Sequence, residues 1–328
     1  MPVAPASRHI PRMRVRTLSR HDLVECMELL PDWLALDTGL RQALPALWER
    51  LVESPAMVTG VNEDMALPAG RRIQSWGVTL ILQPQWVERI QLETAPQPYL
   101  SRRLYAALAE GSLQPMSDRE IGLANAGAGL TMMVLHHSIR PNSFGESYLG
   151  AVLNSANEAF RGHHGGYNLK AIYFETSAAL APGVAAAGFP STRYADDAPP
   201  LEHLPEHLRP VLFCMRREDA LQQLPGTSAR HVFEYQPPLF RFSASQRRLL
   251  WLSLFDDSDD YLMQALDVSV HGLKKLWRGI YERIEDVAPE FFGDTGASDD
   301  GKRGPEKRRQ VLGYVRQRPE ELRPWHEA

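Results

Sequence analysis

Two adjacent histidines, His136 and His137, close the apolar run Leu130–His136, and Glu175 ends the next such run, Leu169–Glu175. Any of the three can be put forward as a general base. One histidine of such a pair faces the core or solvent without catalytic duty, so no catalytic residue is assigned. His203 and His207 have the i, i+4 spacing of a zinc pair, but Pro205 stands between them and no third ligand is evident. A surface loop without a metal is expected there. Trp76, Trp86, Tyr99 and Tyr105 either line a ligand pocket or fill the core. Lys274, Lys275 and Arg278 fall on one side of a helical repeat, where they meet either an anionic surface or solvent. A second basic cluster, Lys302, Arg303, Lys307, Arg308 and Arg309, has the same two readings.

These residues depend on the elements that carry them. Arg14–Leu18 reads as a strand, and Ser19 caps a following helix through Asp22, Leu23, Cys26, Leu29 and Leu30. A second helix is expected around Leu40–Val52. Ala56–Asn62 and Ile73–Leu82 read as paired strands, and Trp86–Glu93 as a further one. Tyr99–Glu110 returns to helical spacing, followed by a polar link and the small-residue run Ala124–Gly129. Leu130–His136 is continuously apolar, as a strand buried on both faces should be. Arg140–Gly145 leads into a helix with Leu149, Leu153, Ala156 and Phe160, which His163-His-Gly-Gly166 breaks. A strand at Leu169–Glu175, a short helix at Pro182–Ala187 and a last strand at Val211–Arg216 follow.

This order resembles the GNAT acyltransferase fold over about residues 14–217. Arg140-x-x-Ser143-Phe144-Gly145 is similar to the R-x-x-G-x-G/A that ends the family's central strand, with serine in place of the first glycine. The resemblance implies that backbone N–H groups there, with the following helix N-terminus, bind the pyrophosphate of acetyl-CoA. The implied cofactor-binding residues are Arg140, Ser143, Phe144 and Gly145, and the implied ligand is acetyl-CoA or another acyl-CoA. Gly188-Phe189 is similar to the family's Gly-Phe, and Leu212–Arg216 to its last strand. Counting back from Gly188, the tyrosine that often protonates the CoA thiolate falls at Val184, which has no proton to give.

In Phe242–Ile284 two apolar helical repeats flank Asp267-Val268-Ser269, a tight turn ending in a helix-capping residue. Leu262, Ala265 and Leu266 form one buried face; Leu273, Trp277 and Ile280 form the next. The stretch resembles the DNA-binding domain of LuxR-type regulators: Val268-Ser269, Leu273-Lys274 and Ile280-Tyr281 match that family's VS…VK…IY signature. Ser243 matches its first cap and Leu249-Leu250 its first-helix core. The resemblance implies a recognition helix whose DNA-facing residues are Ser269, His271, Lys274, Lys275 and Arg278. A last helix carrying Val311, Leu312 and Val315 would take the place of the family's dimer helix.

The 328 residues, 44% hydrophobic, can fill two cores of ordinary size. The formal net charge of −4 is mild, so any footprint for nucleic acid must be local. Cys26 and Cys214 lie in different apolar segments and read as reduced core thiols. No apolar run approaches the roughly 20 residues that span a bilayer, and a cytoplasmic protein without membrane contact is expected. The expected fold is α+β: a loose leader (1–12), a GNAT-like mixed sheet flanked by helices (13–223), a linker (224–238) and an all-α helix-turn-helix domain (239–328). The expected function is a transcriptional regulator, a homodimer whose first domain senses a small ligand and whose second binds double-stranded operator DNA. The alternative is an acyl-CoA-dependent N-acyltransferase with an accessory helical domain.

Overall fold

The computed structural model describes residues 9–293 and 300–327, with side chains from residue 304 onward in the second stretch. In chain order the elements begin with strand β1 (Met13–Arg16), helices α1 (Leu23–Met27) and α2 (Thr38–Leu51), and strands β2 (Met57–Asp64) and β3 (Ile73–Leu82). Helices α3 (Pro84–Arg89), α4 (Leu100–Glu110) and α5 (Asp118–Ala126) precede strand β4 (Leu130–Ile139). Then come helix α6 (Glu146–His164), strand β5 (Leu169–Ser177), helix α7 (Ala181–Ala186), strands β6 (Ser191–Thr192) and β7 (Pro210–Arg216), and helices α8 (Arg217–Gln222) and α9 (Ser228–Phe233). The last four are helices α10 (Ala244–Ser253), α11 (Asp259–Leu266), α12 (Val270–Val287) and α13 (Asp300–Gln317).

The strands form one sheet in the order β1-β2-β3-β4-β5-β7-β6. The pairings β1–β2, β2–β3, β3–β4, β5–β7 and β6–β7 are antiparallel. β4 and β5 differ. Leu130 N–H, at the start of β4, donates to the carbonyl of Asn168 at the start of β5, 2.8 Å away. The strands therefore begin side by side and run parallel, and α6 is the crossover that such a pair requires.

The chain divides into two compact units: Met1–Ser117, Thr131–His164 and Lys170–His231 form the first; Asp118–Leu130, Gly165–Leu169 and Val232–Ala328 form the second. In the first, α6 covers β1, β2 and β3 on one face, while on the other Trp48 of α2 packs against both Trp76 and Tyr105 of α4. The segment expected as a loose leader lies outside the described residues up to residue 8. From there His9 and the N–H of Arg12 bond the buried carboxylate of Asp64, at 2.5 and 2.9 Å.

The second unit has its own core, with Phe240, Leu249, Leu262, Leu273, Trp277, Ile280 and Val311 among its buried side chains. Ser243 and Gln246 cap α10 reciprocally, and Ser269 Oγ accepts from Gly272 N–H at 3.2 Å to cap α12. Asp267 closes α11 in the left-handed region (φ 53°). The C-terminal segment is built into this unit. The Pro324 carbonyl accepts from the Asn125 side chain of α5 at 2.9 Å, and Arg323 donates to the Gly165 carbonyl at 2.9 Å.

Three readings of the sequence are corrected here. Trp86–Glu93 is not a strand: Pro84 occupies the first turn of α3, and Trp86, Val87 and Ile90 bury one helical face. The polar link before Ala124 contains α5, whose Ile121, Gly122 and Asn125 are buried. Within 224–238, α9 carries the buried residues Ala229, Val232 and Phe233.

Candidate functional site

The register of β4 decides which histidine faces the cavity. It pairs with β3 as Gly77↔His137 and Val78↔His136, and then as Thr79↔Val134, so Leu135 is an extra residue with no counterpart. Such a bulge shifts the alternation of side chains by one position. Val134, His137 and Ile139 consequently share one face and border a cavity of about 850 Å³. His136 points to the other face, wholly buried, with Trp76 and Tyr105 at ring distances of 4.6 and 6.1 Å. Burial lowers the pKa of His137 to about 4, and burial together with the neighbouring His137 lowers that of His136 to about 3. Both imidazoles are therefore neutral at pH 7. His137 Nε2 has no hydrogen-bond partner among the described residues.

The cavity lies wholly within the first unit, between α6 and α7 over the sheet. Its floor crosses Gly60 and Gly77, register partners on β2 and β3. A Cβ on Gly60 would come within 3.2 Å of the His163 ring, and one on Gly77 within 3.8 Å of His137. Gly60 thus makes room for the His163 imidazole, while at Gly77 a Cβ would meet His137 at an ordinary contact distance. His163 donates through Nδ1 to the Ala159 carbonyl at 2.7 Å, and His164 through Nδ1 to the Phe160 carbonyl at 2.9 Å. Thr79 Oγ1 meets His164 Nε2 at 2.8 Å. Leu149, Leu153, Val184, Phe174 and Phe189 supply apolar wall, and among the described residues the lining contains no Asp or Glu.

The four residues matched to the cofactor loop lie beside this cavity and do not line it. Arg140 is committed elsewhere: its guanidinium bonds Glu25 at 2.8 Å and the Ile73 carbonyl at 2.8 Å. Ser143, Phe144 and Gly145 are exposed at the entrance to α6. Phe144 N–H donates to Asn142 Oδ1 at 3.1 Å, and its ring stacks on His9 with centroids 4.4 Å apart. Gly145 takes φ +89°, and nothing lies within 4 Å of the Cβ it lacks, so the backbone is open to a ligand on that side.

Glu175 is a structural cap. Its carboxylate accepts from the N–H groups of Leu100 and Ser101 (3.1 and 3.0 Å) and from the Tyr194 hydroxyl (3.0 Å), fastening the start of α4 to β5. Burial raises its pKa in spite of these bonds. His203 and His207 are exposed in turns, and no group of metal-ligating side chains occurs among the described residues. Cys26 is free and buried, and its thiol pKa is pushed up by burial and by nearby Asp22 and Glu25. Cys214 is also free.

In the second unit His271, Lys274, Lys275 and Arg278 are exposed together on the outer face of α12, with Ser269 at its N-terminus. The second basic cluster is tied into ion pairs where it is described: Lys307 with Glu285 (2.5 Å), Arg308 with Asp259 (2.8 Å) and Arg309 with Glu306. The side chains of Lys302 and Arg303 lie outside the described residues. The sequence reading missed His163, His164, Gly60 and Gly77. Their only sequence signal is glycine inside an otherwise apolar strand, which marks a close approach.

No family model matches this sequence, and no curated protein does. Solved structures match part of the chain. A chimera of the Vibrio cholerae spermidine N-acetyltransferase SpeG and hSSAT is 13% identical, covering 64% of this chain and 99% of its own, with a TM-score of 0.36. Arabidopsis thaliana NAA60, solved with acetyl-CoA, is 12% identical, covering 62% and 98%, with a TM-score of 0.38. The C-terminal condensation domain of Ebony, in complex with β-alanyl-dopamine, is 14% identical, covering 63% and 100%, with a TM-score of 0.34. At these scores the matches assign neither family nor ligand to this chain. No described helix is long and apolar enough to cross a membrane.

Proposed function

We propose that the chain is an acyl-CoA-dependent N-acyltransferase of the GNAT type, with the second unit as an accessory helical domain. The observation that carries this reading is the β4–loop–α6 crossing. A strand bulged at Leu135 runs parallel to β5, ends in the Arg140–Gly145 loop, and feeds the open N-terminus of α6 beside a cavity roomy enough for a cosubstrate. The first N–H groups of α6 have no partners within the helix and favour an anion, here the pyrophosphate of acetyl-CoA or another acyl-CoA. Because the Arg140 side chain is held by Glu25, the backbone around Ser143–Gly145 supplies this contact.

Transfer forms an N–C bond from an amine to the thioester carbonyl and breaks the C–S bond. The amine proton leaves to a base, and the CoA thiolate takes a proton from solvent. Val184 has none to give, so solvent protonation stands in for the tyrosine. His137, the histidine of the pair that borders the cavity, is the neutral base, with Nε2 unengaged. Calorimetric titration of the full chain with CoA and acetyl-CoA tests binding, and thiol release over a panel of amines tests turnover. Saturable CoA binding with amine-dependent thiol release is the expected result; failure of both CoA and acetyl-CoA to bind removes the reading.

A second reading is favoured by α12. Its exposed His271, Lys274, Lys275 and Arg278, behind the Ser269 cap, form the face that a recognition helix turns to DNA. On that reading the first unit senses an acyl-CoA, and a homodimer binds an operator. Fluorescence anisotropy on DNA from its own upstream region, against random DNA and across salt, separates the two readings. Selective binding lost in the double variant Lys275→Ala/Arg278→Ala supports the regulator.

A further inference from the structure

We infer that the cavity accepts the acyl chain of a thioester substantially longer than acetyl. This rests on the acyltransferase reading and names its substrate class. Three observations carry it.

The first is charge. The lining holds no carboxylate among the described residues, so a polyamine or a peptide ammonium finds no counter-charge there. Two of its polar side chains are already engaged, Asn62 with Ser75 at 2.7 Å and Ser155 at 3.0 Å, and Thr79 with His164, and the one formally charged side chain in the described lining is the cation Arg161. An uncharged occupant leaves these pairs intact.

The second is exposed apolar surface. Leu149 and Leu153 on α6 are 39% and 43% exposed, and Leu180, just before α7, is 41% exposed. All three border the cavity. Large aliphatic side chains left half-open around one cavity are covered when a hydrocarbon fills it.

The third is reach. The lining runs from Phe174 on β5 across His137 on β4 and Gly77 on β3 to Gly60 on β2. Three strand spacings make about 14 Å. An extended chain of roughly twelve carbons, advancing about 1.25 Å per bond, has that length. On this floor the His163 ring already lies over Gly60, whereas at Gly77 the nearest atom to an added Cβ is 3.8 Å away, so the bare backbone of Gly77 leaves space that a side chain would take up. An acetyl group, two carbons long, fills only a small part of that length.

The test is calorimetric titration of the full chain with CoA, acetyl-, octanoyl- and decanoyl-CoA. A buried methylene is worth about fourfold in affinity, so octanoyl-CoA should bind at least about 100-fold tighter than acetyl-CoA. Gly77→Val puts two methyl groups on the floor and should bring the decanoyl-to-acetyl ratio close to one. Leu153→Gln, at a position already open to solvent, should lower that ratio about tenfold and serves if Gly77→Val fails to fold. Equal binding of CoA, acetyl- and decanoyl-CoA overturns the inference while leaving the acyltransferase reading in place. Failure of CoA and every thioester to bind removes both.

Discussion

At the scale of the residue, the two adjacent histidines of β4 make the first unit sensitive to acid. His136 and His137 are held neutral by burial, with pKa values of about 3 and 4, against roughly 6.5 in an unfolded chain. A group whose folded pKa is lowered contributes stability that is present above the unfolded value and lost as pH falls toward the folded one. The relevant window runs from about pH 6.5 to about 4, with a slope of up to ~1.4 kcal/mol per pH unit for each imidazole. Glu175 acts with the opposite sign, because its pKa is raised: its contribution is largest at low pH and fades as pH rises through that raised value. Urea melts at pH 7, 6 and 5 should show stability falling with acidity, and His136→Phe should flatten the slope. An unchanged slope in His136→Phe would mean that this imidazole already takes a proton in the fold.

At the scale of the element, Gly166 carries a heavier constraint than either glycine of the cavity floor. It has φ +82°, and a Cβ there would lie 2.3 Å from the Glu320 backbone nitrogen. Both the left-handed backbone and the collision penalise any side chain, the backbone conformation alone by about 1–2 kcal/mol. Gly166→Ala should therefore destabilise the protein by ~3 kcal/mol or more, read as a lowered urea midpoint. A loss below ~1 kcal/mol would show that the Pro319–Leu322 turn can move aside.

Much of this architecture was legible as a sequence. The apolar run Leu130–His136 and the capped repeats of α10, α11 and α12 follow from composition and spacing, since each buries a face with its own period. What escaped was non-local. Simple alternation groups Val134 with His136, and only the pairing to β3 reveals that Leu135 is extra and that His137 takes the place beside Val134. Arg140 looks free for a phosphate until Glu25, 115 positions away in sequence, is found beside it. The α3 segment was misread because Trp86, Val87 and Ile90 fit a strand run as well as a helix face, and Pro84 at the first turn was given too little weight. The short run Asp118–Ala126 has a weak apolar pattern, because α5 buries Gly122 and Asn125 where larger apolar residues would be expected.

At the scale of the whole molecule, the second unit is assembled from three separate pieces of chain. Asn125 on α5 bonds the Asn168 N–H and the Pro324 carbonyl, and its own carbonyl accepts from Tyr235. Gly122 leaves room for His326, whose ring carbon would lie 2.2 Å from any Cβ there. A fragment ending at His231 keeps α5 and Gly165–Leu169, which bond each other, while removing the rest of their unit, including Tyr235, Pro324 and Arg323. That fragment should melt at a lower temperature than the full chain and expose apolar surface to a dye such as ANS. An equally stable fragment would mean that α5 belongs with the sheet.

The same interleaving sets an order of events during synthesis. Asn125 and Pro324 are 199 positions apart, and at about 5–20 residues per second the second arrives roughly 10–40 s after the first. For that interval α5 is outside the ribosome without its C-terminal partners, although Asn168 follows Asn125 by only 43 positions. The nascent chain must carry an unfinished surface in its middle long after the strands around it can pair, and that is where a chaperone would find it.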